Sequence, residues 1–158
     1  MPGTNGYQDI FFEGVSAVTA TKTAGLNLGT VRFEGGRKYQ YVYNAGTTQI
    51  STGDGAIITA TTGFSVTVSS VTSVTPCFGV CREATITTGT YGWLVKEGYC
   101  NVNAAAADSM AVGDNLVLGT DGVHQAVTGA TGYMTNRHGY CVQGTATAGT
   151  GYAYISCL

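Results

Sequence analysis

The chain has 158 residues, a formal net charge of −2 and only 10% charged residues. Its few basic residues are scattered, which excludes an electrostatic footprint for nucleic acid and a basic membrane-surface helix, and no apolar run approaches spanning length. The length suits one domain that buries enough surface to fold without a metal or a disulfide.

The 25 Thr, 24 Gly and 10 Tyr outweigh 6 Leu, 4 Glu and 3 Lys. Branched and flat side chains suit a pleated surface, whereas the scarce residues are the usual exposed-helix formers. The expectation is an all-β fold, a compact antiparallel β-barrel or β-sandwich of short strands with little or no helix. Charged residues are depleted at interface cores, so a surface this poor in charge points to extensive contacts with neighbours. A neutral, Thr-coated surface with no partner gives the same composition.

Residues 1–28 read as an N-terminal arm or opening loop, and 29–158 as a single β domain. The arm has one apolar cluster, Ile10, Phe11 and Phe12, which suits packing on its own domain or on a partner. It opens with no basic start and no apolar segment, so the expectation is synthesis in the cytosol without an export signal.

The clearest local signal follows. Val31 and Phe33 alternate with Arg32 and Glu34, Gly35-Gly36 follows, and Tyr39, Tyr41 and Tyr43 alternate with Gln40 and Val42. This predicts a hairpin whose turn needs positive φ. The three tyrosines form a stripe that serves either as core or as a partner contact.

Further strands are predicted from Ala56 to Thr61, from Phe64 to Val68 with Phe64, Val66 and Val68 inward, and from Val80 to Thr87. The run from Tyr91 to Val95, with Trp93 buried, turns at Lys96-Glu97-Gly98 into Tyr99 to Val102. Ala104 to Met110 is the one helix-like patch, two turns at most. Asn115 to Leu118 and Val123 to Val127 flank Thr120-Asp121-Gly122, a second hairpin signal. Strands from Gly139 to Gln143 and from Tyr152 to Cys157 finish the chain. Gly98-Tyr99-Cys100 recurs as Gly139-Tyr140-Cys141, which would set two equivalent strand starts side by side.

Candidate chemistry is sparse. His124 beside the Asp121-Gly122 turn reads as a surface hairpin residue, and His138 next to Arg137 as loop. There is no Gly-x-Ser-x-Gly elbow. The nine acids fall mostly at turns, where Asp closes the chain, and not as a facing pair. Gly35-Gly36-Arg37-Lys38 joins two strands and lacks the helix N-terminus of a phosphate loop. Cys77 and Cys81 leave two readings open, a local disulfide or two packed thiols, and a zinc site would need Cys100, Cys141 or His138 in addition. No cofactor is expected, and the chain reads as a binding protein and not as an enzyme.

Three stretches carry a family resemblance: residues 29–46 (GTVRFEGGRKYQYVYNAG), residues 91–100 (YGWLVKEGYC) and residues 112–122 (VGDNLVLGTDG). In these the chain resembles the small β-rich head decoration, or cement, proteins of tailed bacteriophages. The resemblance implies a structural virion protein on the outer capsid surface, synthesised in the host cytoplasm. It implies the major capsid protein as partner and a homo-oligomer, a trimer by preference, with no nucleic acid and no membrane. Many copies bridging one lattice would gain strength through effective concentration. A receptor- or carbohydrate-binding β-sandwich is the alternative, with Trp93 and the Tyr39, Tyr41, Tyr43 stripe as stacking residues.

Overall fold

The computed structural model describes residues 14–23, 26–59, 63–68, 76–105, 109–127, 136–145 and 149–157. Among these, ten strands form one sheet: β1 (Val31–Glu34), β2 (Arg37–Asn44), β3 (Gly55–Ile58), β4 (Ser65–Val68), β5 (Gly79–Cys81), β6 (Tyr91–Asn103), β7 (Asn115–Leu118), β8 (His124–Val127), β9 (Gly139–Gln143) and β10 (Thr150–Ser156). The order is β1-β2-β4-β3-β5-β6-β10-β9-β7-β8, and β2 also pairs with β6.

That additional pairing closes β2, β4, β3, β5 and β6 into a ring, while β10, β9, β7 and β8 continue from β6 as an open wing. The fold is therefore all-β, with a barrel-like part. All pairings are antiparallel except β2 with β4.

Two cores result. Val42, Ile50, Ala56, Val66, Cys81, Ile86 and Leu94 fill the ring. Tyr39, Tyr41, Trp93, Val95, Cys100, Val102, Leu116, Leu118, Ala153 and Ile155 fill the larger core beneath the wing. Asn44 is buried among the ring residues, and its amide is fully used: it donates to the carbonyls of Thr48 and Ile86 at 2.9 and 3.0 Å and accepts from the Gly46 N–H at 3.0 Å.

β6 belongs to both cores, and its alternation changes phase. Trp93 and Val95 enter the larger core with Leu94 on the ring side; beyond Lys96 the even residues Cys100 and Val102 enter the larger core. The shift lies where Lys38 pairs with Glu97 but Tyr39 pairs with Val95, so one residue is unmatched. A bulge of this kind moves every following side chain to the other face. Lys96-Glu97-Gly98 is thus a bulge inside one 13-residue strand, not the turn its composition suggested. Gly98, at φ 118°, supplies the local conformation that side chains disfavour.

Both predicted hairpins are present. Glu34 pairs with Arg37 across Gly35 and Gly36, whose φ values are 56° and 74°, as a two-residue primed turn requires. The second turns through Asp121 and Gly122 at φ 56° and 77°. Two expectations are corrected. The stretch from Val80 to Thr87 is strand only to Cys81, and Ile86 then makes a single bridge to Ile50. The helix-like patch has a bridge at each end, Ala104 with His124 and Met110 with Thr145; residues 106–108 lie outside the described residues. In the opening segment Val15 and Leu26 are buried in the larger core. Ile10, Phe11 and Phe12 lie outside the described residues.

Candidate functional site

Strand alternation sets the outer face of the wing. In β10 Gly151, Ala153 and Ile155 point into the core, so Tyr152 and Tyr154 point out. The Gly-Tyr-Cys echo then has a structural meaning. Ile155 pairs with Gly98 on one side and Gly139 on the other, Tyr154 with Tyr99 and Tyr140, and Ala153 with Cys100 and Cys141. The repeat flanks β10 on both sides in the same register, although Gly98 lies within β6 and does not start it.

Four tyrosines consequently form a row across three strands. Tyr152 stacks on Tyr99 (5.9 Å between centroids, 12° between planes), Tyr99 meets Tyr154 edge-on (5.0 Å, 72°), and Tyr154 stacks on Tyr140 (5.5 Å, 24°). Tyr99 and Tyr140 are each 43% exposed. Hydrogen bonding with Tyr99 is the first cause that holds the Tyr140 phenol above its usual range; partial desolvation, then the Glu97 carboxylate, does the same for Tyr154. The Tyr140 and Tyr154 rings therefore present neutral hydroxyls at physiological pH.

Beside the row lies a cleft of about 420 Å³ lined by Phe33, Arg37, Lys38, Glu97 and Tyr154 among others. Phe33 is 77% exposed on the outer strand β1. The Tyr154 hydroxyl donates to Glu97 Oε1 at 3.3 Å. Arg37 donates from Nε to the Tyr99 carbonyl and from a terminal nitrogen to the Gly35 carbonyl, pinning the first hairpin to β6. A side chain at Gly98 would strike Arg37 and the Gly36 carbonyl, so the bulge glycine is also what lets the hairpin tip lie there.

This face offers apolar ring edges, phenol hydroxyls and a mixed-charge cleft. Because the rings pack against each other, their planes are largely used within the row. Tyr and Arg are enriched at the centres of protein–protein interfaces, where two rotatable bonds make a large contact area cheap to order.

The predicted stripe lies elsewhere. Tyr39 and Tyr41 are each 1% exposed, so neither has a surface to offer a partner. Burial raises the Tyr39 pKa, and its hydroxyl donates to Glu83 Oε1 at 2.7 Å. Tyr43 is half-buried against Tyr91 at 4.8 Å. Trp93 is 4% exposed, packs on Tyr41 at 5.1 Å, and leaves its Nε1 without a hydrogen-bond partner. The stacking residues named for a sugar-binding reading are therefore mostly enclosed.

Cys77 and Cys81 are both free thiols, the packed-thiol arrangement of the two readings left open. They belong to different cores: Cys77 lies in the larger one, while Cys81 lies in the ring and donates to the Ala84 carbonyl at 3.1 Å. Burial pushes Cys81 and Cys100 up to about 12, and burial together with a hydrogen bond to Cys77 holds Cys157 well above the usual thiol range. These are inert thiols in the sense that a thiolate is strongly disfavoured. Among the described residues no three His, Cys, Asp or Glu side chains converge as metal ligands.

The two histidines were read as surface and loop, and both are buried, at 0% and 2% exposure. His124 Nδ1 and His138 Nε2 share a hydrogen bond of 2.8 Å. The expectation failed because a lone His in a turn-rich stretch carries no sign of a partner 14 residues away. The tyrosine row, in contrast, had a signal: Tyr152 and Tyr154 alternate with Ala153 and Ile155, and the Gly-Tyr-Cys echo matches them.

No family model matches the chain, and no curated protein matches it. Among solved structures it is similar to the crystal structure of the head fiber gp8.5 N base in bacteriophage phi29. Identity is 16% and the TM-score 0.54, over 76% of this chain and 96% of that chain. At that identity the likeness is one of fold, and the fold is one found in a phage head protein, as the sequence resemblance implied.

Proposed function

We propose that this chain is a structural protein of a bacteriophage head. In this reading it decorates the outer capsid surface and stabilises the major capsid protein lattice. The observation that carries the reading is the fold shared with nearly all of a phage head fiber base. The tyrosine row and the cleft beside it supply the docking surface: a broad, neutral, hydroxyl-rich face with Phe33 and Arg37 at one end.

The mechanism is adhesive and not catalytic. Each copy buries a modest face against capsid subunits, and copies joined as a homo-oligomer, a trimer by preference, gain avidity from the lattice. With so little charge on the chain, apolar contact and hydrogen bonds dominate over long-range attraction. Binding should therefore depend weakly on salt.

The test is to mix purified protein with bare expanded capsids of the cognate phage and measure bound copies against free concentration. Saturable binding at symmetric positions supports the proposal. Absence of binding to any cognate capsid overturns it.

A further inference from the structure

The buried histidines are not used by the docking face, and their position is specific. β8 is the last strand of the sheet, hydrogen-bonded along its length only to β7 among the described strands. β7 in turn holds β9 through two residue pairs, Asn115 with Tyr140 and Leu116 with Gly139. Beyond these pairs the β7–β8 hairpin has one backbone tie at β8, the bridge of His124 to Ala104, with Ala105 N–H donating to the His124 carbonyl at 3.0 Å. Its remaining hold is across the core. A Cβ at Gly55, the first residue of β3, would meet Leu118 Cδ1, His124 Cε1 and Cys77 Sγ within 3.2 Å; one at Gly122 in the hairpin turn would meet Asp54, Gly55 and Val68. The hairpin therefore folds onto β3 and β4 with the His124 ring at the contact.

His138 completes the arrangement from the segment entering β9. Its N–H donates to the Leu116 carbonyl at 3.1 Å and its carbonyl accepts from Ser156 N–H at 2.7 Å. The ring meets His124 at 2.8 Å, with centroids 5.0 Å apart. The outer nitrogens, His124 Nε2 and His138 Nδ1, have no hydrogen-bond partner, though the carbonyls of Gly53 and Asn136 face the two rings.

We propose that the His124–His138 pair is an acid-released latch, which fastens the β7–β8 hairpin to β3 at neutral pH and frees it when an imidazole takes up a proton.

The chemistry follows from what surrounds the pair. Two neutral imidazoles make one good hydrogen bond, one donating and one accepting. One added proton places a charge in a closed site walled by Leu118 and Cys77. A second sets two N–H groups against each other. No carboxylate among the described residues hydrogen-bonds either ring. Asp54, from the loop before β3, is committed to Ser51 N–H at 2.9 Å and Asn103 Nδ2 at 2.8 Å. Asp121 sits in the turn beyond, Cys77 is a thiol, and Arg137 is itself a cation, bonded to Asn115 Oδ1 at 3.1 Å. Burial first, and the neighbouring imidazole next, holds His124 well below the usual range; burial brings His138 down to about 4. The strands released stand at the end of the open wing, so their opening leaves the closed ring intact.

The test is amide hydrogen exchange on the full chain at pH 7.5 and pH 5, corrected for intrinsic rates. The expected result is a loss of protection of at least tenfold in β7, β8 and the start of β9, which exchange faster than β2 and β6 at pH 5. Unchanged protection of β7 and β8 between the two pH values, or β7 and β8 as well protected at pH 5 as β2 and β6, overturns the latch. The H124N/H138Q variant should keep β7–β8 protected at pH 5. If it folds and still loosens there, the histidines are not responsible. Should it not fold, the wild-type imidazole signals decide by NMR: apparent titration below pH 5 in the folded protein supports the proposal, and ordinary titration near 6.5 refutes it.

Discussion

Tyr99 and Tyr140, from two separate strands, face the same residue, Tyr154, from opposite sides of β10. Each belongs to a Gly-Tyr-Cys triplet, and the three positions serve three purposes. Glycine pairs with Ile155 and admits a close neighbour, the Arg37 hairpin tip at Gly98 and the Tyr154 carbonyl at Gly139; tyrosine faces out, and cysteine packs inward next to Ala153. A wing built this way spends its small and apolar residues on the core and leaves a continuous aromatic row outside.

Removing that row should separate binding from stability. Tyr99→Ala with Tyr140→Ala deletes two rings that are each 43% exposed. Stability should fall by roughly 1–2 kcal/mol, from lost cross-strand ring contacts. Capsid affinity should fall by at least tenfold, measured by co-sedimentation of the variant with capsids beside its urea midpoint.

The bulge glycine should be far less replaceable than the turn glycine beside it. Gly98→Ala puts a Cβ at φ 118°, 2.9 Å from Arg37 Cγ, where Gly36→Ala at φ 74° meets nothing within 4 Å. The expected cost is about 2 kcal/mol or more at Gly98, and roughly 1 kcal/mol at Gly36, by denaturant unfolding. Comparable losses at both would mean that the hairpin tip does not rest on β6.

Much of this architecture is legible in the sequence, and the misses have physical causes. Asn115–Leu118 and Gly139–Gln143 are strands with the bounds their alternation predicts, and Gly35-Gly36 and Asp121-Gly122 turn as expected. Lys96-Glu97-Gly98 misleads because a bulge and a turn call on the same residue types: polar, with a glycine at positive φ. The ring is closed by β2 against β6, a pairing between distant segments that no local pattern announces. The same limit governs the tyrosines. Alternation shows that Tyr39 and Tyr41 share a face, and equally that Tyr152 and Tyr154 do. Which face is covered depends on what packs there: Val95, Trp93 and the wing cover the first pair, and nothing described covers the second. The histidine pair lies beyond local reading altogether.

The thiols give a third test. With Cys81 and Cys100 at about 12 and Cys157 also raised, the folded protein should react slowly with iodoacetamide at pH 8, and all five cysteines should be modified once it is unfolded in urea. Intact mass without reductant should show no bridge between Cys77 and Cys81. A mass lower by two hydrogens, mapped to that pair, would contradict the packing of the two thiols into separate cores.

Acid should weaken the fold in a defined window. An unfolded imidazole titrates near 6.5, and His138 in the fold at about 4. Between those values the unfolded chain binds more protons than the folded one, so stability is complete above about pH 6.5 and falls as pH drops. His138 alone corresponds to a loss of roughly 2 kcal/mol at pH 5 and about 3 near pH 4, with His124 acting in the same direction. Urea midpoints at pH 7.5 and 5 measure it, and an unchanged midpoint would show that the pair ionises as freely in the fold as outside it.

In the proposed function the β6–β10–β9 face docks on a phage capsid. The most direct test is a cryo-EM reconstruction of bare cognate capsids saturated with this protein. The account predicts added density at symmetric positions, with Tyr99, Tyr140, Tyr152 and Tyr154 turned toward the shell. Capsids left bare at saturating concentration, or bound copies with the tyrosine row facing solvent, would contradict it.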